Sequence, residues 1–229
     1  HQFHNNYVHY DWHWFWATGN GDLNNQGTHQ LDVARWAVDK DQTHPVRAMA
    51  IGGRFQWNDQ GETPNTMFGI AEYPNGQQVF FNVRNVNYEG YQRQVENEYY
   101  FEDGGKIIRD KYYSAGSSEG QDLDIPDGNV TPGGNWGSFI QACRSGDPDM
   151  ANGNVVDAHY ACVMGHLINN SYRLGQKAPF NERAGKFGDN SDAFEHFMKL
   201  HDVMKNGVGL PEDQNEYVVG PWLTFDPQT

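Results

Sequence analysis

The tripeptide Pro74-Asn75-Gly76, set between two runs of strand-forming residues, constrains this chain more than any other short feature. Asn-Gly supplies the positive backbone φ of a tight hairpin turn, so residues 66–73 and 77–84 are expected to pair as antiparallel neighbours. Before them, residues 45–55 (PVRAMAIGGRF) read as a strand and residues 58–65 as a loop. After them, residues 94–101 and 106–113 flank a turn at Asp103-Gly104-Gly105 and extend the pattern into a meander. These strands carry many polar and aromatic side chains, so one face should pack on helices and the other be half-polar.

Residues 114–134, rich in Gly, Ser, Asp and Pro, read as a long surface loop. Asn135 is then expected to cap a helix over 136–144 with Phe139, Ile140 and Cys143 inward. Residues 154–174 hold the longest helical pattern, ended by Gly175. A last helix over 191–205, amphipathic through Phe194, Phe197, Met198 and Val203, is expected to cover the sheet, and the tail 217–227 to dock. The fold class that follows is α+β: a mostly antiparallel open β-sheet backed by helices on one face, in a single domain over 1–229. Phe68, Phe80, Phe81 and Tyr99 exceed what one helical layer covers. The sheet is therefore expected to offer an apolar face to a second copy of the chain, as a homo-oligomer.

With 16 basic against 30 acidic residues the net charge is −14, which repels phosphate backbones and anionic lipid surfaces. Nucleic acid and membrane are excluded as expected partners. No apolar run approaches the roughly 20 residues of a membrane span, and no charged leader opens the chain. The His- and Asn-rich opening suggests the interior of a longer gene product. Cys143 and Cys162 have no CxxC spacing; two buried thiols are expected, with a single disulfide as the alternative in an exported protein. Gly19-Asn20-Gly21 lacks the preceding strand and third glycine of a dinucleotide turn.

Candidate chemistry concentrates in residues 10–36 (YDWHWFWATGNGDLNNQGTHQLDVARW). The run from Asp11 to Trp16 holds three indoles, a phenyl, a carboxylate and an imidazole. Such density suits a sugar-binding wall, with ring faces against C–H surfaces and polar groups on hydroxyls; an aromatic plug in a small core is the alternative. A helix is expected from about Asn24 or Asn25, burying Leu31, Ala34 and Val38. Its other face carries Asn25, His29, Asp32 and Trp36. An imidazole there can take or give a proton near neutral pH, which singles out His29, although Asn25 could merely cap and Asp32 merely pair with Arg35. His9-x-Asp11-x-His13, with His1 and His4 nearby, is too weak a pattern for a metal, and none is expected.

The run GNGDLNNQGTHQLDVARW with the preceding HYDWHWFW resembles the C-terminal α/β domain of the Gfo/Idh/MocA oxidoreductases, in a bacterial and often exported branch. GGRFQWNDQGETPNT at 52–66, GHLINNSYRLG at 165–175 and GPWLTFDP at 220–227 resemble the same branch. The resemblance implies a sugar or polyol substrate, NAD or NADP as hydride acceptor, and His29 as proton relay. It also implies a periplasmic or extracellular setting. Many members have an aspartate four residues before that histidine, where this chain has Asn25, so Asp22 or Asp32 would assist. Trp12, His13, Trp14, Asp32 and His166 would hold the substrate. The family's nucleotide-binding half and its lysine have no counterpart here, so the chain alone is expected not to bind the cofactor, which a domain in cis or trans would bring. Two other readings stand beside this one. The pocket could perform cofactor-free acid/base work, as a lyase or isomerase, or the chain could be a non-catalytic oligomeric or filament-forming module.

Overall fold

The structure is a computed structural model that describes residues 5–91, 95–124, 128 and 130–226; His1 and His4 lie outside them. In chain order its helices are α1 (Gln26–Arg35), α2 (Gly134–Ser145), α3 (Val155–Arg173) and α4 (Ser191–Asp202). The strands are β1 (Arg47–Gly53), β2 (Thr66–Glu72), β3 (Gln78–Arg84), β4 (Glu98–Tyr100), β5 (Lys106–Ile108), β6 (Lys111–Tyr113), β7 (Gln121–Asp122), β8 (Gln176–Pro179), β9 (Glu216–Val219) and β10 (Leu223–Thr224). Contacts divide the chain into two compact units, His1–Arg93 with Ala161–Thr229, and Gln94–Tyr160, where the sequence reading took one domain.

In the first unit the expected hairpin forms. Tyr73 N–H donates to the Gln77 carbonyl at 2.9 Å, Gly76 N–H donates to Tyr73 at 3.0 Å, and the turn leaves Ala71 opposite Val79. Gly76 has φ +89, the conformation the tight turn demands. The sheet runs β3-β2-β1-β9-β8, antiparallel throughout, with β10 also on β1. The tail therefore docks as expected, through β9 and β10.

Alternation along β1 and β2 sends Met49, Ile51, Phe68 and Ile70 into one cluster with Phe197, Leu200 and Met204. Their neighbours Ala48, Ala50, Met67 and Ala71 enter a second cluster with Leu31, Met164 and Ile168. Helix α4 and the turn after it thus cover one face, while α1 and α3 cover the other. That explains why β1 and β2 read as unbroken apolar runs, as strands buried on both faces do. The class is α+β with an open antiparallel sheet, but two expectations are corrected. Helices back both faces, not one. The sheet from 46 to 113 is not continuous and offers no Phe68/Phe81 patch: Phe68 and Phe81 are buried in opposite clusters, and Tyr99 belongs to another sheet. Periodicity identified the helices as amphipathic without saying which face each would take.

The second unit holds the sheet β4-β5-β6-β7 and α2. Here Gly133, with φ +95, stands at the N-cap of α2 in place of Asn135. Phe139 is 58% and Ile140 46% exposed, against the expectation that they turn inward; the buried residues of α2 are Ser138 and Ala142. Small side chains, not the aromatic ones, make the contact. Both cysteines are free thiols, Cys143 exposed and Cys162 half-buried, so the expectation of two buried thiols is also corrected. Among the described residues no helix is long and apolar enough to cross a membrane.

Candidate functional site

Asp22 is the hub of the stretch that the sequence singled out. It sits in the short 3-10 turn Gly21–Leu23, immediately before α1. Its Oδ1 lies 3.4 Å from the Asn25 Nδ2 donor, and its Oδ2 accepts from Asn85 Nδ2 at 3.0 Å. Asn25 also donates to the Tyr10 hydroxyl at 2.8 Å. Standing at the N-cap of α1, Asn25 makes no side-chain cap bond, which frees its amide for these partners.

His13, expected against the substrate, is only 2% exposed. Its Nδ1 contacts the Tyr10 carbonyl oxygen at 2.5 Å, and because a carbonyl only accepts, that nitrogen carries the proton. The other nitrogen, Nε2, is buried without a hydrogen-bond partner, 3.9 Å from Asp22 Oδ1. That distance is too long for a hydrogen bond, and a neutral ring would turn an acceptor toward an acceptor. His13 is therefore placed behind Asp22 and enclosed. Gly19 allows the chain to fold back here: a Cβ on it would lie 2.5 Å from the His13 Cα.

His29 is exposed on α1, not packed in the core, and Asp32 one turn on is half-buried. Arg35 turns inward, its guanidinium donating to the Val38 carbonyl at 3.4 Å and to that of Gln42, so the pairing of Asp32 with Arg35 weighed from the sequence is replaced. Two surface depressions on this unit, lined by Asn181 and its neighbours and by Asn170 and its neighbours, do not include His29. His166, also exposed, joins the Asp22 region from α3: its Nδ1 lies 3.1 Å from Asn20 Nδ2, which donates to Asn24 Oδ1 at 2.9 Å. Gly165 permits this approach, since a Cβ there would lie 2.9 Å from Asn24 Nδ2 and 3.2 Å from Leu31 Cδ1. Gly165→Val is expected to cost about 1–3 kcal/mol by crowding these atoms and to separate His166 from Asn20. Urea unfolding reads the first effect and the His166 ring resonances the second.

The indoles divide. Trp12 is 46% exposed, whereas Trp14 and Trp16 each have a guanidinium over the ring, Arg54 at 5.0 Å and Arg173 at 4.9 Å. Arg54 is itself fixed by a fork to Asp59, with Nε to Oδ1 at 2.7 Å and a terminal nitrogen to Oδ2 at 2.5 Å. Its hydrogen bonds hold the Asp59 carboxyl below the usual carboxylate range. Tyr172 lies beside Trp16, and burial pushes its phenol up to about 12, partly offset by the charge of Arg54. Sequence reasoning missed Tyr10, Asn20, Asn24, Asn85 and Arg54 as members of these clusters. The runs HYDWHWFW, GNGDLNNQGTHQLDVARW and GGRFQWNDQGETPNT already contained four of them, Tyr10, Asn20, Asn24 and Arg54.

A nicotinamide nucleotide, implied by the resemblance, does not fit the described residues. Holding its pyrophosphate in the family's manner needs a parallel strand, a glycine turn and a helix N-terminus. Every strand pairing among the described residues is antiparallel, and Gly19-Asn20-Gly21 leads into a three-residue 3-10 turn. Among the described residues no group of three His, Cys, Asp or Glu side chains could hold a metal ion.

Comparison with known proteins relates these residues to a family. The GFO/IDH/MocA C-terminal domain pattern matches residues 1–105, the part that contains Trp12, Asp22, Asn25 and His29. No protein of curated function matches the chain. Among solved structures it is similar to the WlbA dehydrogenase from Bordetella pertussis, solved in complex with NADH and UDP-GlcNAcA. The identity is 17% and the TM-score 0.48, covering 73% of this chain and 47% of that one. It is also similar to an NAD-binding protein from Listeria innocua, at 14% identity and TM-score 0.42 over 70% of this chain and 53% of the other. The chain spans about half the length of these two structures. The match to the GFO/IDH/MocA C-terminal domain covers residues 1–105 of the 229 and agrees with the resemblance read in the sequence.

Proposed function

We propose that this chain is the substrate-holding half of an NAD(P)-dependent oxidoreductase acting on a sugar or polyol, with His29 as proton relay. The observation that carries the reading is the convergence of Asp22, Asn25, Asn85 and Tyr10 within hydrogen-bonding reach at the start of the helix that bears His29. The histidine relay expected from the family resemblance lies on the part of the chain that matches the family.

In this reading Asn25 cannot act as a base, and the carboxylate the family often has four residues before the histidine is supplied from Asp22, one turn earlier. Asn25 and Asn85 orient Asp22, and buried His13 backs it as a positioning residue without touching substrate. Exposed Trp12 offers an open indole to a sugar face, with half-buried Trp14 as the second indole of the wall. Asp32 and His166 take hydroxyls at the edges. An exported setting belongs to the same proposal and rests on the resemblance alone.

In this reading the chain's own residues orient the substrate and move the proton, and the nucleotide is held by a further segment in cis or in trans. Calorimetric titration of the chain with NAD and with NADP is expected to give no saturable binding, and micromolar binding would move the cofactor site onto this chain. The function itself is tested by supplying the nucleotide-binding half and assaying nucleotide reduction against a panel of sugars and polyols. Turnover of a sugar with no nucleotide present would instead favour the lyase or isomerase reading.

A further inference from the structure

The second unit, Gln94–Tyr160, has no apolar core of its own: among its described residues only Gly105, Ser138 and Ala142 are buried. Its largest open side chains concentrate on α2. Trp136 is 82% exposed, Phe139 58% and Ile140 46%, and Cys143 is an exposed free thiol. Positions 136, 139, 140 and 143 fall on one stripe of the helix, opposite the side on which Ser138 and Ala142 pack. The helix thus turns its apolar stripe to solvent, the reverse of what an amphipathic helix does in a monomer. Exposed apolar patches of this kind mark a contact.

The stripe is its own complement. When two copies of α2 lie antiparallel across a two-fold axis, Trp136 meets the partner's Cys143, the largest side chain against a small one, and Phe139 meets the partner's Ile140. Charge points the same way. Two chains of net charge −14 repel wherever carboxylates meet, but α2 (GNWGSFIQACRS) carries none. Its one charge, Arg144, is exposed and has no ion pair among the described residues. In the antiparallel pair that guanidinium comes beside the partner's Trp136, whose indole face attracts a cation. Three such side chains from each copy would remove on the order of 800 Å² from water, an area that belongs to weak, concentration-dependent association.

We propose that α2 is a self-association surface, on which two copies of this chain pair antiparallel through Trp136, Phe139, Ile140 and Cys143. The test is sedimentation velocity of the whole chain from roughly 1 μM to 1 mM, with maleimide labelling of Cys143 followed over the same range. Half-buried Cys162 is the internal control. The dimer fraction is expected to rise with concentration while the Cys143 labelling rate falls in step and the Cys162 rate stays constant. Phe139→Glu, at an exposed position, should weaken the dimer about tenfold or more without moving the thermal unfolding midpoint, and Arg144→Glu about threefold or more. A chain that stays monomeric throughout, a dimer in which Cys143 labels at the monomer rate, or parental affinity in both variants would overturn the proposal. So would protection of Cys143 only when the nucleotide-binding half is added, which would make that half the occupant of the stripe.

Discussion

Replacing His29 by alanine is expected to lower turnover by roughly 10²- to 10⁴-fold, the usual contribution of a positioned proton-transfer group. The measurement uses the chain supplied with its nucleotide-binding half and a sugar or polyol found to be turned over. Because His29 is exposed and the apolar side of α1 is carried by Leu31, the urea midpoint should stay within about 0.5 kcal/mol of the parent. A loss of rate with intact stability is the signature sought. Asp22→Ala should also lower turnover, and it should in addition loosen Asn25 and Asn85, whose amides lose their acceptor. Asn25→Asp gives the converse test. It introduces the carboxylate that the family resemblance leads one to expect at this position, but brings it close to Asp22, so the two would share charge and shift the pH profile of the rate. Unchanged turnover in His29→Ala would remove the relay from this residue.

Phe197→Ala is expected to be strongly destabilising, by roughly 3–5 kcal/mol. Phe197 is fully buried, with ring centroids 5.6 Å from Phe187 and 5.5 Å from Tyr217. Gly185 packs against its edge, 2.6 Å from where a Cβ would sit, so the backbone there has closed on the ring and cannot easily follow it into a cavity. Urea unfolding reads the loss. Phe194, one turn earlier on α4 and 42% exposed, provides the contrast: its alanine variant should cost far less. Equal costs would mean that α4 does not seal this face of the sheet, and the account of a sheet covered on both sides would fail with it.

Part of the candidate site was legible because its signals are local. Asn25, His29 and Asp32 share a helix face by spacing alone, and the tight turn at Asn75-Gly76 follows from backbone sterics at two residues. The partners of Asp22 were not legible. Asn85 reaches it across 63 residues and His166 reaches Asn20 across 146, and no short-range pattern encodes such pairings. His13 shows a different limit: an imidazole among indoles looks like a ligand contact, yet its 2% exposure is set by the chain folding back at Gly19.

The sequence by itself determined the strands of the first hairpin, the helices from α1 to α4 and the fold class, because each rests on local backbone preference or on periodicity. Only the tertiary structure decided that both faces of the sheet are covered, that Phe68 and Phe81 lie on opposite sides, and that β4 to β7 form a sheet of their own. The physical reason is that an amphipathic helix announces a buried stripe without naming its partner. Which face it covers depends on loop lengths and on close approaches such as Gly165 against Asn24, which exist only once the chain has closed on itself.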